Sequence, residues 1–142
     1  MKLRIAALGA SPNPPGQTMV EFAMVASVFF LLLFGIMEMS YAVYNYNTVC
    51  SAAREAVRYA IVHSPTSANP ATIAQIQQIA IRNAVSLDPS QLTVNVSWPA
   101  DANLPLQQDA QVQVSYRYQL NLPFRPPLTL TLVSTSQMLV SQ

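Results

Sequence analysis

Sixteen consecutive uncharged residues separate Glu21 from Glu38, and they include no proline and a single glycine. A helix needs about 20 predominantly apolar residues to cross a bilayer, and residues 18–37 supply that length if Glu21 is counted among them. An acid at the centre of such a helix costs about 2.5–3.5 kcal/mol by insertion scales, and less near its end. This stretch therefore predicts a membrane span whose first acid requires a compensating partner.

Charge is scarce and unevenly distributed along the chain. Asp, Glu, Lys and Arg make up 9% of the 142 residues, against about 25% in a typical soluble domain. Lys2 and Arg4 precede the apolar run, and the next basic residue is Arg54. By the positive-inside rule, this asymmetry places the N-terminus in the cytoplasm and the C-terminal part outside the membrane. The sequence encodes no basic cluster, so no nucleic-acid partner is expected.

Residues 1–16 precede the apolar run and end in a stretch that contains Pro12, Pro14 and Pro15. These prolines forbid a continuous helix from the N-terminus into the apolar run. A secretory signal has its cleavage site after its apolar core, whereas here the strongest core follows Gly16. Two interpretations remain open, because this segment fits either a short leader removed at Gly16 or the cytoplasmic tail of a signal anchor.

From Thr18 the pattern is helical, and no proline occurs before Pro65. A helix over residues 18–63 would be about 68 Å long, of which the membrane takes about 30 Å. Thr18 and Glu21 have capping-box spacing. Beyond the outer edge at Glu38, three tyrosines fit an interfacial belt. A stripe of small apolar residues predicts a core-facing side that packs closely against a sheet or another helix. The tyrosines are Tyr41, Tyr44 and Tyr46. The small apolar stripe consists of Val49, Ala53, Ala56, Val57 and Ala60.

A second, shorter helix is predicted after the loop that begins at His63. Asn69 and Pro70 fit its N-cap and its first residue, and Asp88-Pro89 fits its end. Its apolar positions follow helical spacing at Ile73, Ile76, Ala80 and Ala84.

The remaining sequence changes to a period of two, which is typical of strands with one apolar face. Alternating segments begin at Leu92, Ala110 and Leu128. After residues 134–136 the apolar positions change parity, which predicts a bulge or a bend. Short connections favour an antiparallel sheet covered by the two helices. The predicted fold class is therefore α+β, with a long N-terminal helix, a second short helix and a three-stranded antiparallel sheet.

No catalytic, metal-binding or phosphate-binding constellation is evident. The single histidine, His63, and the single cysteine, Cys50, lie on different faces of one predicted helix and about 20 Å apart. One cysteine also excludes an internal disulfide. The acids in predicted loops, Asp88, Asp101 and Asp109, lack the spacing of metal ligands. The few glycines, Gly9, Gly16 and Gly35, cannot form a phosphate-binding loop. The sequence therefore predicts neither an enzyme nor a cofactor, a metal or a small-molecule substrate.

The run Gly16-Gln17-Thr18-Met19-Val20-Glu21-Phe22 resembles a prepilin processing site, which has a glycine, four residues, a glutamate, an aromatic residue and a long apolar helix. Residues 52–60, AAREAVRYA, are similar to the membrane-distal helix pattern of the TadE-like minor pilins, or pseudopilins, of the tight-adherence (Flp) type IV pilus system. Residues 118–138 are similar to the last two strands of that family. The resemblance covers about residues 16–63 and 110–140.

The resemblance implies a pilin-like fold and cleavage by a membrane prepilin peptidase between Gly16 and Gln17. Glu21 would then be the fifth residue of the mature chain, followed by the aromatic Phe22 of the motif. In a low-dielectric setting Glu21 can neutralise the new α-amine, its own or that of a neighbouring subunit, and so set the axial register of assembly. The simpler interpretation of Glu21 is a capping-box acid near the headgroups.

Together these inferences predict a leader or cytoplasmic tail over residues 1–16, a transmembrane helix over 17–40 and an extracytoplasmic pilin-like head over 41–142. The predicted function is that of a minor pilin in the assembly or initiation of an adhesive Flp pilus. Its expected partners are the prepilin peptidase, other pilins or pseudopilins, the pilus assembly machinery and the bacterial inner membrane. The alternative is an uncleaved single-pass, signal-anchored envelope protein whose periplasmic domain binds a partner.

Overall fold

The computed structural model describes residues 15–99, 109–121 and 126–140. Most of the predicted leader or tail, and the greater part of both connections between the strands, lie outside the described residues. The elements within them are α1 (Pro15–Val62), α2 (Ile73–Asn83), β1 (Leu92–Ser97), β2 (Asp109–Leu120) and β3 (Leu128–Leu139). A long helix, a short helix and three strands confirm the predicted α+β class.

α1 is one continuous helix of 48 residues, about 72 Å long. It begins at Pro15, where the fixed φ of proline and its missing N–H suit the first turn of a helix. Thr18 therefore lies inside the helix, so the predicted capping-box role of Thr18 and Glu21 is wrong. At the other end, the backbone N–H of His63 donates to the Tyr59 carbonyl oxygen at 3.1 Å and closes the last turn.

The hydrophobic core lies between the second half of α1 and one face of the sheet. The predicted small-residue stripe of α1 is completely buried, which confirms it. Alanine side chains let the helix backbone approach the sheet closely, and a packed interior leaves little room for extra methylene groups. The fully buried core residues are Val49, Ala52, Ala53, Ala56, Val57, Ala60, Ile76, Ala80, Ala110, Val112 and Val114.

The sheet is antiparallel, with the spatial order β1-β2-β3. The ladder between β2 and β3 pairs every residue of β2, from Asp109 opposite Leu139 to Leu120 opposite Leu128. An unbroken register leaves no extra residue on either strand, so the predicted bulge in the third strand is wrong, and its alternative, a bend, stays a prediction.

Two serines interrupt the apolar alternation of β3 without a change of face, since Met138 beyond them still packs against the core. Ser134 and Ser136 lie opposite Val114 and Val112. Directly opposed residues of an antiparallel pair share one face of the sheet, and both valines belong to the buried core. The serines therefore occupy inward positions, where the alanine-rich side of α1 requires small side chains rather than apolar ones.

α2 begins and ends at different residues from those predicted. Its N-cap is Thr72, whose hydroxyl accepts from the Gln75 backbone while the Gln75 side chain accepts from the Thr72 backbone, so these two residues form a capping box. The predicted N-cap at Asn69-Pro70 is wrong, because the helix begins three residues beyond Pro70. It ends at Asn83 rather than at Asp88, which instead caps a single 3-10 turn leading into β1.

α2 covers the β1 side of the sheet. Its predicted apolar face is confirmed at Ile76 and Ala80, which are buried, whereas Ile73 is exposed. The Gln77 side chain donates a hydrogen bond of 2.9 Å to the Val94 carbonyl oxygen. This bond ties the helix to the backbone of the short edge strand.

Candidate functional site

The four residues predicted for processing and assembly lie together in the first two turns of α1, and all four are exposed. They are Gly16, Gln17, Glu21 and Phe22. The Gln17 side-chain amide donates a hydrogen bond of 3.1 Å to Oε1 of Glu21, as residues four apart on a helix can do. The Glu21 carboxylate is thus directed toward the start of the helix. It faces the residue whose α-amine cleavage after Gly16 would create.

The fold itself gives no reason for a glycine at position 16. Apart from its chain neighbours and the nearby helix backbone, no atom of the described residues lies within 4 Å of a Cβ atom placed on Gly16. Inside a helix, glycine is less favourable than alanine by about 0.8–1.0 kcal/mol. Packing among the described residues therefore does not explain a glycine at this position.

Beyond Glu21, the first half of α1 is apolar around its whole circumference and unburied. The helix is long and apolar enough to cross a membrane, and no residue of its most apolar window is buried, in contrast to a core helix of a soluble protein. Phe22 is 75% exposed. The hydroxyl of Ser27 donates to the Ala23 carbonyl oxygen at 2.7 Å, so this polar group is satisfied within the helix as a lipid environment requires. This half of α1 fits a single-pass membrane protein.

Glu38 marks the C-terminal end of the apolar run and contacts the sheet. The Tyr118 hydroxyl donates a hydrogen bond of 3.0 Å to Oε2 of Glu38. Burial, together with this bond, raises the pKa of Tyr118 to about 12. The predicted belt residues Tyr41, Tyr44 and Tyr46 are exposed on the helix at this level. The contact escaped prediction because its two residues are 80 positions apart and no local pattern links them.

His63 and Cys50 do not meet. The His63 ring stacks on Tyr59, with ring centroids 4.3 Å apart, and its Nδ1 lies 3.2 Å from the Tyr59 carbonyl oxygen. Cys50 is a half-buried free thiol, and its interaction with the Tyr46 hydroxyl raises the pKa of Tyr46. Each side chain is thus engaged by a neighbour one helical turn earlier.

Residues 15–99, 109–121 and 126–140 contain no group of three or more His, Cys, Asp or Glu side chains that could hold a metal ion. An open cleft of about 580 Å³ lies at the membrane-distal end of the head. No titratable group lines it; its walls are Ile61, Val62, Ser64, Thr66, Ser67, Leu139 and Val140.

The comparison with known proteins matches a part of α1 and includes none of the residues that line the cleft. A family model described as TadE-like protein matches residues 16–58, so the match begins at Gly16 and ends within the head's part of α1. No curated protein and no solved structure matches the chain. The similarity of residues 110–140 to the last strands of the family stays a prediction. The resemblance is confirmed over residues 16–58, where the chain matches the TadE-like family of the Tad pilus system.

Proposed function

We propose that the protein is a non-enzymatic minor pilin, or pseudopilin, that acts in the assembly or initiation of an adhesive Tad (Flp) pilus. One observation carries the proposal. The family-matched residues 16–58 form an unbroken stretch of α1, of which the first half is apolar and unburied and the second half enters the core of a folded head. A subunit of this kind can pack its apolar half against neighbouring helices and present its head outside the membrane.

The same proposal assigns a place to each part of the chain. Lys2 and Arg4 keep the N-terminus in the cytoplasm, residues 17–40 span the inner membrane, and residues 41–142 form a periplasmic head. The head becomes extracellular where the subunit enters the pilus. Its partners are the prepilin peptidase, other pilins or pseudopilins and the assembly machinery.

Processing between Gly16 and Gln17 is part of this proposal. Cleavage places a positive α-amine on Gln17, at the inner end of a helix surrounded by lipid, where an unpaired charge is costly. Glu21 lies one helical turn away and already accepts a hydrogen bond from the Gln17 side chain. The carboxylate therefore stands ready to pair with that amine, or with the amine of an adjacent subunit displaced along the filament axis.

An uncleaved signal-anchored envelope protein is the competing function, and one observation favours it. Gly16 and Gln17 both belong to the first turn of α1. A peptidase acts on an extended backbone, so the first turn must unwind before this bond can be cut. Helix ends fray readily because their first N–H groups lack helical partners. Unwinding the first turn of α1 therefore costs little free energy.

The state of the N-terminus distinguishes the two functions. The full chain is expressed in membranes with and without an active prepilin peptidase, and its intact mass is measured. We expect loss of residues 1–16 only with the active peptidase. Gly16→Val should abolish this loss, because a branched side chain fills the space that glycine leaves at the scissile bond. Gly9→Val, at another glycine before the apolar run, is the matched control and should be cut normally.

An unchanged mass in the presence of a peptidase that cuts a known prepilin would reject the processed-pilin function. It would leave the signal-anchored protein in its place.

A further inference from the structure

The end of the β2–β3 hairpin that lies nearest the apolar half of α1 exposes leucine side chains. Leu128 is 43% exposed and Leu130 is 37% exposed. Both occupy inward positions of β3, because they lie opposite Leu120 and Tyr118 on the same face of the sheet. The core side of the sheet is therefore uncovered at this end. Farther along the strands, the same face of the sheet is buried.

Two observations, a shared cleft and a hydrogen bond, indicate the height of the hairpin along α1. At the distal end, Leu139 and Ile61 line the same cleft; at the other end, Tyr118 is bonded to Glu38 and lies opposite Leu130. The nine residues from Leu130 to Leu139 span about 30 Å of strand. The 23 residues from Glu38 to Ile61 span about 35 Å of helix. The two lengths agree, so β2 and β3 run nearly parallel to the helix axis.

This geometry puts the end of the hairpin beside the apolar run. Leu120 and Leu128 pair two residues beyond Tyr118, which is about 7 Å farther toward the start of α1. On the helix, 7 Å corresponds to about four or five residues, so the pair lies level with Phe34. Phe34 is itself exposed and belongs to the uncharged run that ends before Glu38. The leucines and the helix thus present one continuous apolar surface.

We propose that this hairpin end is a lipid-contact site. Leu120, Leu128 and Leu130 insert into the boundary between headgroups and acyl chains of the leaflet on the side of the head, next to Phe34. The inference rests on the membrane anchoring in the proposed function but not on cleavage or on pilus assembly. A bilayer is the occupant that the geometry favours, because the leucines continue the surface of the very helix segment that lipid surrounds. The Tyr118–Glu38 bond then holds the head against the membrane.

Spin labelling of the full chain in phosphatidylcholine vesicles tests this site. With Cys50→Ala as background, single cysteines are introduced as Leu128→Cys, Val133→Cys and Val28→Cys and are labelled with a nitroxide. Val133 is the matched control, because it is 42% exposed but lies on the outward face and farther from the membrane. Collision rates are measured with oxygen, which concentrates in lipid, and with a water-soluble nickel chelate.

We expect labels at positions 28 and 128 to collide mainly with oxygen, and the label at position 133 to collide mainly with nickel. A nickel-accessible label at position 128, with position 28 in lipid, would overturn the lipid-contact site and leave the membrane anchor intact. A nickel-accessible label at position 28 would overturn both the lipid-contact site and the membrane anchor.

Tryptophan fluorescence provides a second measurement that leaves Cys50 in place. Trp98 is the single tryptophan of the chain, so Trp98→Phe combined with Leu128→Trp gives one probe at the hairpin end. Brominated lipids should quench this probe and should leave the corresponding Val133→Trp probe bright. Equal emission from both probes in brominated lipid would contradict the proposal.

Discussion

The Tyr118 hydroxyl donates a 3.0 Å hydrogen bond to Oε2 of Glu38 and so joins the end of the sheet to the C-terminal end of the apolar run. Glu38 is half-buried by this contact. The bond lies where the helix leaves its apolar half, so it fixes the position of the head relative to the membrane span. A carboxylate acceptor makes such a bond stronger than one between neutral groups.

Tyr118→Phe removes this donor and leaves the half-buried Glu38 carboxylate without it. We expect the free energy of unfolding of the head to fall by about 1.5–3 kcal/mol, the usual contribution of a hydrogen bond to a charged group. Urea denaturation of the full chain in detergent, followed by Trp98 fluorescence, measures the change. Tyr116→Phe is the control on the same strand and should change stability little. A double-mutant cycle with Glu38→Gln should show coupling, and strictly additive effects would contradict the proposed role of the bond.

The raised pKa of Tyr118 predicts a loss of stability in alkali. Burial and the bond to Glu38 raise this pKa from 10.0 to about 12, so the folded protein holds its phenolic proton more tightly than the unfolded chain. The stabilising contribution is complete below pH 10 and is lost as the pH rises from 10 toward 12. Thermal unfolding between pH 9 and pH 12 should show a steeper decline in the wild type than in Tyr118→Phe. Parallel declines would contradict the assignment.

Local sequence pattern was sufficient for the parts of the fold that repeat along one element. The stripe that includes Val49 and Ala53 follows helical spacing and is buried as predicted, and the alternation in the strands gave the correct sheet. Pattern failed where two signals compete. Asn69-Pro70 has the residues of a helix start, yet Thr72 and Gln75 satisfy two backbone N–H groups reciprocally, and this capping box determines where α2 begins.

Pattern also failed where the environment of a residue depends on a distant element. Ser134 and Ser136 disturb the apolar alternation of β3, but only the close approach of the alanine face of α1 explains why small side chains lie there. The contact of Glu38 with Tyr118 likewise depends on the packing of the sheet along the helix. The residues of the processing motif stay a prediction, and within that motif the bond from Gln17 to Glu21 was missed, although i, i+4 spacing offered the signal.

Asp88 predicts an acid-sensitive turn ahead of β1. Its carboxylate accepts a hydrogen bond of 2.9 Å from the Ser90 backbone N–H, and this bond lowers the pKa of Asp88 below 3.8. A lowered pKa contributes stability that is present above the unfolded value and is lost as the pH falls through the folded one. Asp88→Asn keeps an acceptor but not the titration, so its melting temperature should decline less between pH 5 and pH 2. Asp88→Ala should be destabilised at every pH, and equal acid profiles for wild type and Asp88→Asn would contradict the assignment.

The close contact between α1 and the sheet predicts that the stability of the head depends strongly on side-chain size at Ala56. Ala56 is completely buried, and a larger side chain there must push the helix from the strands. We expect Ala56→Leu to lower the free energy of unfolding by about 1–3 kcal/mol, as overpacking usually does. Ser51→Leu on the exposed side of α1 is the matched control and should stay within about 0.5 kcal/mol. Denaturation of both variants in detergent makes the comparison, and equal stabilities would contradict tight packing at this face.

The role proposed for Glu21 predicts a separation between membrane insertion and pilus assembly. Glu21→Ala removes the carboxylate that would neutralise the α-amine of Gln17, and breaking a buried charge pair by removing one partner costs about 3–5 kcal/mol. Alanine favours both helix and lipid, so we expect Glu21→Ala to insert and to lose residues 1–16 normally while surface piliation falls sharply. Membrane fractionation, intact mass and filament counts by electron microscopy measure the three steps. Glu55→Ala removes an exposed glutamate from the head's part of α1 and should leave all three unchanged. Normal piliation with Glu21→Ala would show that the amine needs no carboxylate at this position.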